Sequence, residues 1–90
     1  MRWRANPAVL LKDWGEELAV FCETTGNTHL LDPNGAAIFL ALRAAPGALA
    51  PKELAAIVSA PEIPADALMP ALEEQLDILR QYALVQQVDA

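Results

Sequence analysis

Ninety residues suffice for one domain and no more, and so short a chain buries only about 60–65% of the surface it would expose unfolded, so its core must be efficient. Hydrophobic residues make up 54% of the chain, many of them alanine, which packs helices closely but adds little buried area. Twelve acidic and six basic residues give a net charge of −6, which argues against nucleic-acid binding, where cations must meet phosphates, and against an anionic membrane surface.

The first third reads as strands. Val9-Leu10-Leu11 is a short apolar run after Pro7, and Asp13-Trp14-Gly15-Glu16 reads as a turn in which Gly15 supplies conformational freedom. Glu17 to Glu23 is rich in β-formers; Thr25-Gly26-Asn27 is a hairpin signal, and Thr28-His29-Leu30-Leu31 follows as a third strand. These segments predict a three-stranded antiparallel meander. Before them, Met1 to Pro7 is polar and carries no apolar run, so nothing resembles a signal peptide.

The remainder reads as helices. Asp32 before Pro33 is a good N-cap with proline at the first helical position, and that helix should run to about Ala44, where Pro46-Gly47 ends it. Pro51 opens a short helix through about Ser59, with Glu53 placed for its N-terminal dipole. Pro61 and Pro64 bracket a loop. Asp66 caps a third helix to about Ala83, with Pro70 interrupting its start. Leu84 to Val88 is a short extended tail. The expected fold class is α+β: a three-stranded antiparallel sheet followed by a winged-helix-like, helix-turn-helix trio, as a single domain over residues 1–90.

The third helix is the most informative element. At 100° per residue, Leu68, Leu72, Leu76, Leu79 and Ala83 form one stripe, with Ala71, Ile78 and Tyr82 beside it and Gln75 among them. Glu73, Glu74, Asp77 and Gln81 take the other side. The apolar arc approaches half the circumference, more than one core contact needs. Either the helix packs on two neighbours, or the second set lines a groove. The sheet raises a related alternative. Thr28 to Leu31 is the last strand and has no proline or lysine to block pairing. Either a terminal segment covers it, or it is an open edge able to accept an added strand or to pair with its own copy as a homodimer.

Catalytic constellations are not evident. With Thr24 to Asn27 as the loop, Cys22 would pair with His29, but two ligands do not make a metal site, and Cys22 shares a face with Leu18 and Val20. As the lone cysteine it has no intramolecular disulfide partner. Glu16 and Glu17 are adjacent in a strand and point to opposite faces. Trp14 either packs on the sheet or serves as an exposed anchor. Gly15, Gly26, Gly35 and Gly47 all sit at turns or helix starts rather than in a phosphate loop. The six cations, Arg2, Arg4, Lys12, Arg43, Lys52 and Arg80, are scattered. No stretch reaches the roughly 18 apolar residues of a membrane span, so a cytoplasmic protein is expected.

The order Trp3-Arg4, Pro7, Leu10, Trp14-Gly15-Glu16-Glu17, Val20-Phe21, Gly26 and Thr28-His29-Leu30-Leu31 resembles the PqqD-like peptide chaperones, or RiPP recognition elements, in the branch found in the HPr-rel-A system. The resemblance covers nearly the whole chain, including the leucine-rich third helix and Leu84-Val85. Asn27 departs from an expected aspartate, and Ala83 from a helix-ending glycine. The resemblance implies a sheet packed on three winged-helix-like helices. It also implies binding of a precursor's leader peptide, added beside the third strand and against the third helix, for delivery to a modifying enzyme or to the kinase-like protein of the same system. The implied site residues are Thr28, His29, Leu30 and Leu31 on the strand and Leu68, Leu72, Gln75, Leu76, Ile78 and Leu79 on the helix. Catalysis and cofactors are not expected. A DNA-binding winged-helix regulator, or a structural subunit that completes an enzyme complex, is the alternative.

Overall fold

The computed structural model describes residues 1–14, 17–59 and 64–88. In chain order the elements are β1 (Arg2–Ala5), β2 (Val9–Trp14), β3 (Glu17–Cys22), β4 (Asn27–Leu31), α1 (Pro33–Ala44), α2 (Pro51–Val58), α3 (Ala65–Gln81) and β5 (Val85–Val88). The chain is α+β, with antiparallel sheets of order β2-β3-β4 and β1-β5.

The expected meander forms, with two adjustments. Strand β2 does not stop at Leu11; Asp13 pairs with Leu18 and Trp14 with Glu17, so the expected turn residues are reduced to Gly15 and Glu16. Those two residues, and the surroundings of the Trp14 side chain, lie outside the described residues, as does the loop around Pro61. The β3–β4 register also differs from expectation. Cys22 pairs with Asn27 and Val20 with His29, because the turn comprises residues 23–26 rather than 24–27. Gly26 sits at φ +75° and donates its N–H to the Cys22 carbonyl at 2.8 Å. A left-handed residue closes this turn most cheaply when it is glycine, and that fixes which residue ends the loop. Asn27 thereby becomes a strand residue.

The polar N-terminus is not a passive leader. Arg2–Ala5 pairs with Val85–Val88, and Trp3 exchanges two 2.8 Å backbone hydrogen bonds with Leu49. Alternation explains why no apolar run marks this strand: Trp3 is buried while Arg4 is exposed. The two terminal strands thus pair with each other, and neither covers β4.

The helices follow their sequence signals closely at their starts. Asp32 caps α1, its carboxylate accepting the Gly35 N–H at 2.7 Å. Helix α2 starts at Pro51 as expected; Glu53 accepts the Ala50 N–H at 2.9 Å and pairs with Arg2 at 2.8 Å. These contacts, the bond from Ala50 first, hold the Glu53 carboxyl below its ordinary range. Helix α3 differs. It begins at Ala65, so Pro64 and not Asp66 takes the cap position, its carbonyl receiving the Ala67 and Leu68 amides at 3.0 and 3.3 Å. Pro70 lies inside the helix and removes only the donor that would have reached the Asp66 carbonyl. At the far end Ala83 adopts φ +61°, with its N–H on Arg80 and the Leu84 N–H on the Leu79 carbonyl at 3.0 Å. This is a Schellman closure made without the usual glycine.

One buried cluster joins all of these elements. Phe39 and Leu42 from α1, Leu54 from α2, Leu72, Leu76 and Leu79 from α3, and Val9, Val20 and Leu84 are buried together. Within it lies one buried polar side chain among the described residues, Asn6. Its Nδ2 donates to the Ala83 carbonyl at 2.8 Å and the Thr24 hydroxyl at 3.2 Å; its Oδ1 accepts the Ala8 N–H at 3.0 Å. Asn6 therefore ties the N-terminal segment, the β3–β4 turn and the left-handed end of α3 to one another.

Candidate functional site

Among the described residues, strand β4 has a partner on one side only. In an antiparallel ladder, successive residues turn their amides to opposite sides, so one hydrogen bond sets the parity of the whole sheet. The Glu23 N–H reaches the Ala8 carbonyl, on the β2 side, at 2.9 Å. Cys22, Val20 and Leu18 therefore address β4 and engage Asn27, His29 and Leu31. Thr28 and Leu30 are left as the residues whose N–H and C=O point away from the sheet.

The side chains alternate in the opposite sense. His29 and Leu31 share the inner face with Val20 and Leu18, while Thr28 and Leu30 lie on the outer face with Phe21 and Ala19. Leu31 is buried and His29 half-buried; Thr28 and Leu30 are exposed.

Helix α3 runs beside the inner side of this edge, and two contacts define how. The His29 ring stacks on Tyr82, with centroids 4.3 Å apart and planes inclined by 14°. At the other end, buried Gly35 in the first turn of α1 lies next to both Gln75 and Leu31, where a Cβ would meet Gln75 Oε1 at 3.5 Å and Leu31 Cβ at 3.9 Å, ordinary contact distances. The strand thus advances from Tyr82 toward Gln75, with Ile78 between them on the same side of the helix. Farther along, Leu68, Ala71 and Leu72 face Asn34, Ala37 and Ile38 of α1 across a cleft of about 190 Å³.

The ten expected site residues therefore divide. Leu31, Leu72, Leu76 and Leu79 are core residues with no surface to offer a ligand. Thr28 and Leu30 turn their backbone outward at the edge; His29, Gln75 and Ile78 are half-buried beside it, and Leu68 is half-buried in the cleft against α1. The Leu72, Leu76 and Leu79 stripe packs inward, while of the second set Gln75 and Ile78 are half-buried and Ala71 and Tyr82 exposed. Tyr82 and Gly35 belong to the same place. Tyr82 was visible in the sequence as part of the second set; Gly35 had no signal beyond its position at a helix start.

One polar group here lacks a partner: His29 Nε2 is buried without a hydrogen bond among the described residues. Burying a polar atom unpaired costs about 1–3 kcal/mol, so a ligand able to bond there would gain from it. Cys22, fully buried, does not join His29; its ladder partner is Asn27, and its thiol lies 3.7 Å from the Ala83 carbonyl. Asp77, held below the ordinary carboxylate range by bonds from Arg80 and then Gln81, belongs to another surface, beside Met1 and Trp3. Among the described residues no helix is long and apolar enough to cross a membrane.

No protein-family model matches the chain, and no curated protein matches it. Among solved structures, that of TbiB1 in complex with the TbiA(beta) leader peptide is similar in fold. It superposes with a TM-score of 0.76 at 20% sequence identity, over 97% of this chain and 99% of that one.

Proposed function

We propose that this chain is a peptide-binding adaptor that takes up the leader segment of a precursor peptide as an added strand on β4 and offers it to a modifying enzyme. The observation that carries the reading is the open edge of β4, with the Thr28 and Leu30 amides directed outward beside the half-buried face of α3. A fold shared along almost its whole length with a protein solved with a leader peptide supports it. The chain acts as one binding domain, without a cofactor and without chemistry of its own, in the manner of the PqqD-like chaperones it resembles; the HPr-rel-A branch supplies the expected kinase-like partner. Backbone bonds along β4 provide affinity, and the half-buried side chains of His29, Ile78 and Gln75 provide selection. Exposed Glu73, Glu74 and Asp77 on α3 oppose the alternative of a helix seated in a DNA groove.

Synthetic peptides from the short reading frames flanking the gene provide the test, titrated by fluorescence anisotropy with circular dichroism as the folding control. Leu30→Pro removes an outward amide and should leave a folded protein that binds at least tenfold more weakly. His29→Pro removes a donor from the β3–β4 ladder and should damage folding itself. If Leu30→Pro is folded and binds as tightly as the parent, β4 is not the site.

A further inference from the structure

We infer that the outer face of the β2-β3-β4 sheet is a second selecting surface for the same peptide, which must carry an apolar residue on its outward side as well as on its inward side. The inference rests on the proposed function and says what class of peptide satisfies it. Leu30 carries it, because its amide lies on the open edge while its side chain lies on the outer face, 58% exposed. Leu30 pairs with Ala19, and Phe21 bridges Leu10 to Thr28. The small Ala19 side chain leaves a hollow ringed by Leu10, Phe21 and Leu30, with Lys12 on its β2 side; its lining is mainly apolar, and these leucines and Phe21 are among the exposed large hydrophobic residues.

An added strand continues the sheet, so every second one of its side chains joins this face. The residue opposite Leu30 places its Cβ about 4.5–5.5 Å from that of Leu30. There an apolar or aromatic side chain covers Leu30 and reaches diagonally toward Phe21. A polar one leaves both in water. The peptide is the occupant because its backbone is already fixed at Leu30 by the edge; a partner resting on the face alone has no such anchor. The preferred segment therefore has adjacent apolar residues, two parities each with a surface to read them, rather than a strict apolar–polar alternation.

The experiment is selection of a displayed library of random decapeptides on three proteins: the parent, Leu30→Thr and Ile78→Glu. Threonine keeps the outward amide and the strand preference while removing the exposed leucyl surface. The parent should enrich sequences with apolar residues at both parities. Leu30→Thr should lose the preference at one parity only, and Ile78→Glu at the other. Peptides chosen on the parent should bind Leu30→Thr roughly twofold to fivefold more weakly, the range of one cross-strand apolar pair. Apolar residues at a single parity on the parent, or the same sequences on Leu30→Thr, would overturn this inference and leave the adaptor reading standing. No enrichment on the parent overturns both. Light scattering on the same samples covers the other occupant: a parent dimer that Leu30→Thr converts to monomer means a second copy covers the face, and the inference fails.

Discussion

Replacing Asn6 with alanine removes one side chain and loosens three parts of the chain together. The side chain, itself buried, makes two bonds to backbone groups of half-buried residues, the Ala83 carbonyl at 2.8 Å and the Ala8 N–H at 3.0 Å. Its bond to Thr24 ends on an exposed residue, whose hydroxyl regains water, so it adds little. Each neutral bond contributes about 0.5–1.5 kcal/mol, and a buried group left unpaired costs about 1–3 kcal/mol. The two together give an expected loss of about 2–4 kcal/mol. For so small a domain, near the low end of the usual 5–15 kcal/mol, that is a large share of the whole. Urea titration followed by circular dichroism measures it as a fall in midpoint at unchanged slope. Asn6→Asp adds a second arm. The new carboxylate has no proton to offer the Ala83 carbonyl, so the loss should shrink as pH falls and the carboxyl becomes a donor. A midpoint within error of the parent for Asn6→Ala would show that Asn6 does not hold the end of α3, and that its bonds are incidental to packing.

Leu76, 1% exposed in the core stripe of α3, should cost about 2–5 kcal/mol when cut to alanine; a midpoint within error of the parent in urea would mean the core face has been misplaced. Ala83→Gly should stabilise by about 0.5–1 kcal/mol, since relief of the left-handed backbone exceeds the added freedom of the unfolded glycine; a lower thermal midpoint would refute this. The depressed carboxyls of Glu53 and Asp77 contribute stability that is present above the ordinary carboxylate range and lost as pH falls through their lower folded values. Glu53→Gln should therefore flatten the acid side of the stability–pH curve slightly, the group being exposed to solvent. An unchanged slope contradicts the pairing with Arg2 and Ala50.

What was legible in the sequence was local. Asp32-Pro33, Pro51 with Glu53, and the spacing of Leu72, Leu76 and Leu79 each act through neighbours a turn or less away, and the structure keeps all of them. The same period marked a second apolar side of α3, the one containing Gln75, Ile78 and Tyr82, although nothing in that period says what it faces. The Thr28–Leu31 strand was equally plain from its β-forming residues and its hairpin turn.

Tertiary structure decided what depends on distant partners. Whether β4 is an open edge turned on where the termini go, and Arg2–Ala5 meets Val85–Val88 across eighty or more positions. No local pattern encodes that choice, and Trp3 alone between two arginines gives no apolar run to betray it. The β3–β4 register hung on a single left-handed residue, Gly26, and the parity of the edge on one bond from Glu23 to Ala8. Asn6 reads as an ordinary polar residue before proline; only the fold brings Ala83, Thr24 and Ala8 around it. Hydrophobic spacing and capping act over a few residues and can be read along the chain, whereas strand pairing and buried polar bonds join residues whose separation in sequence carries no information about their contact.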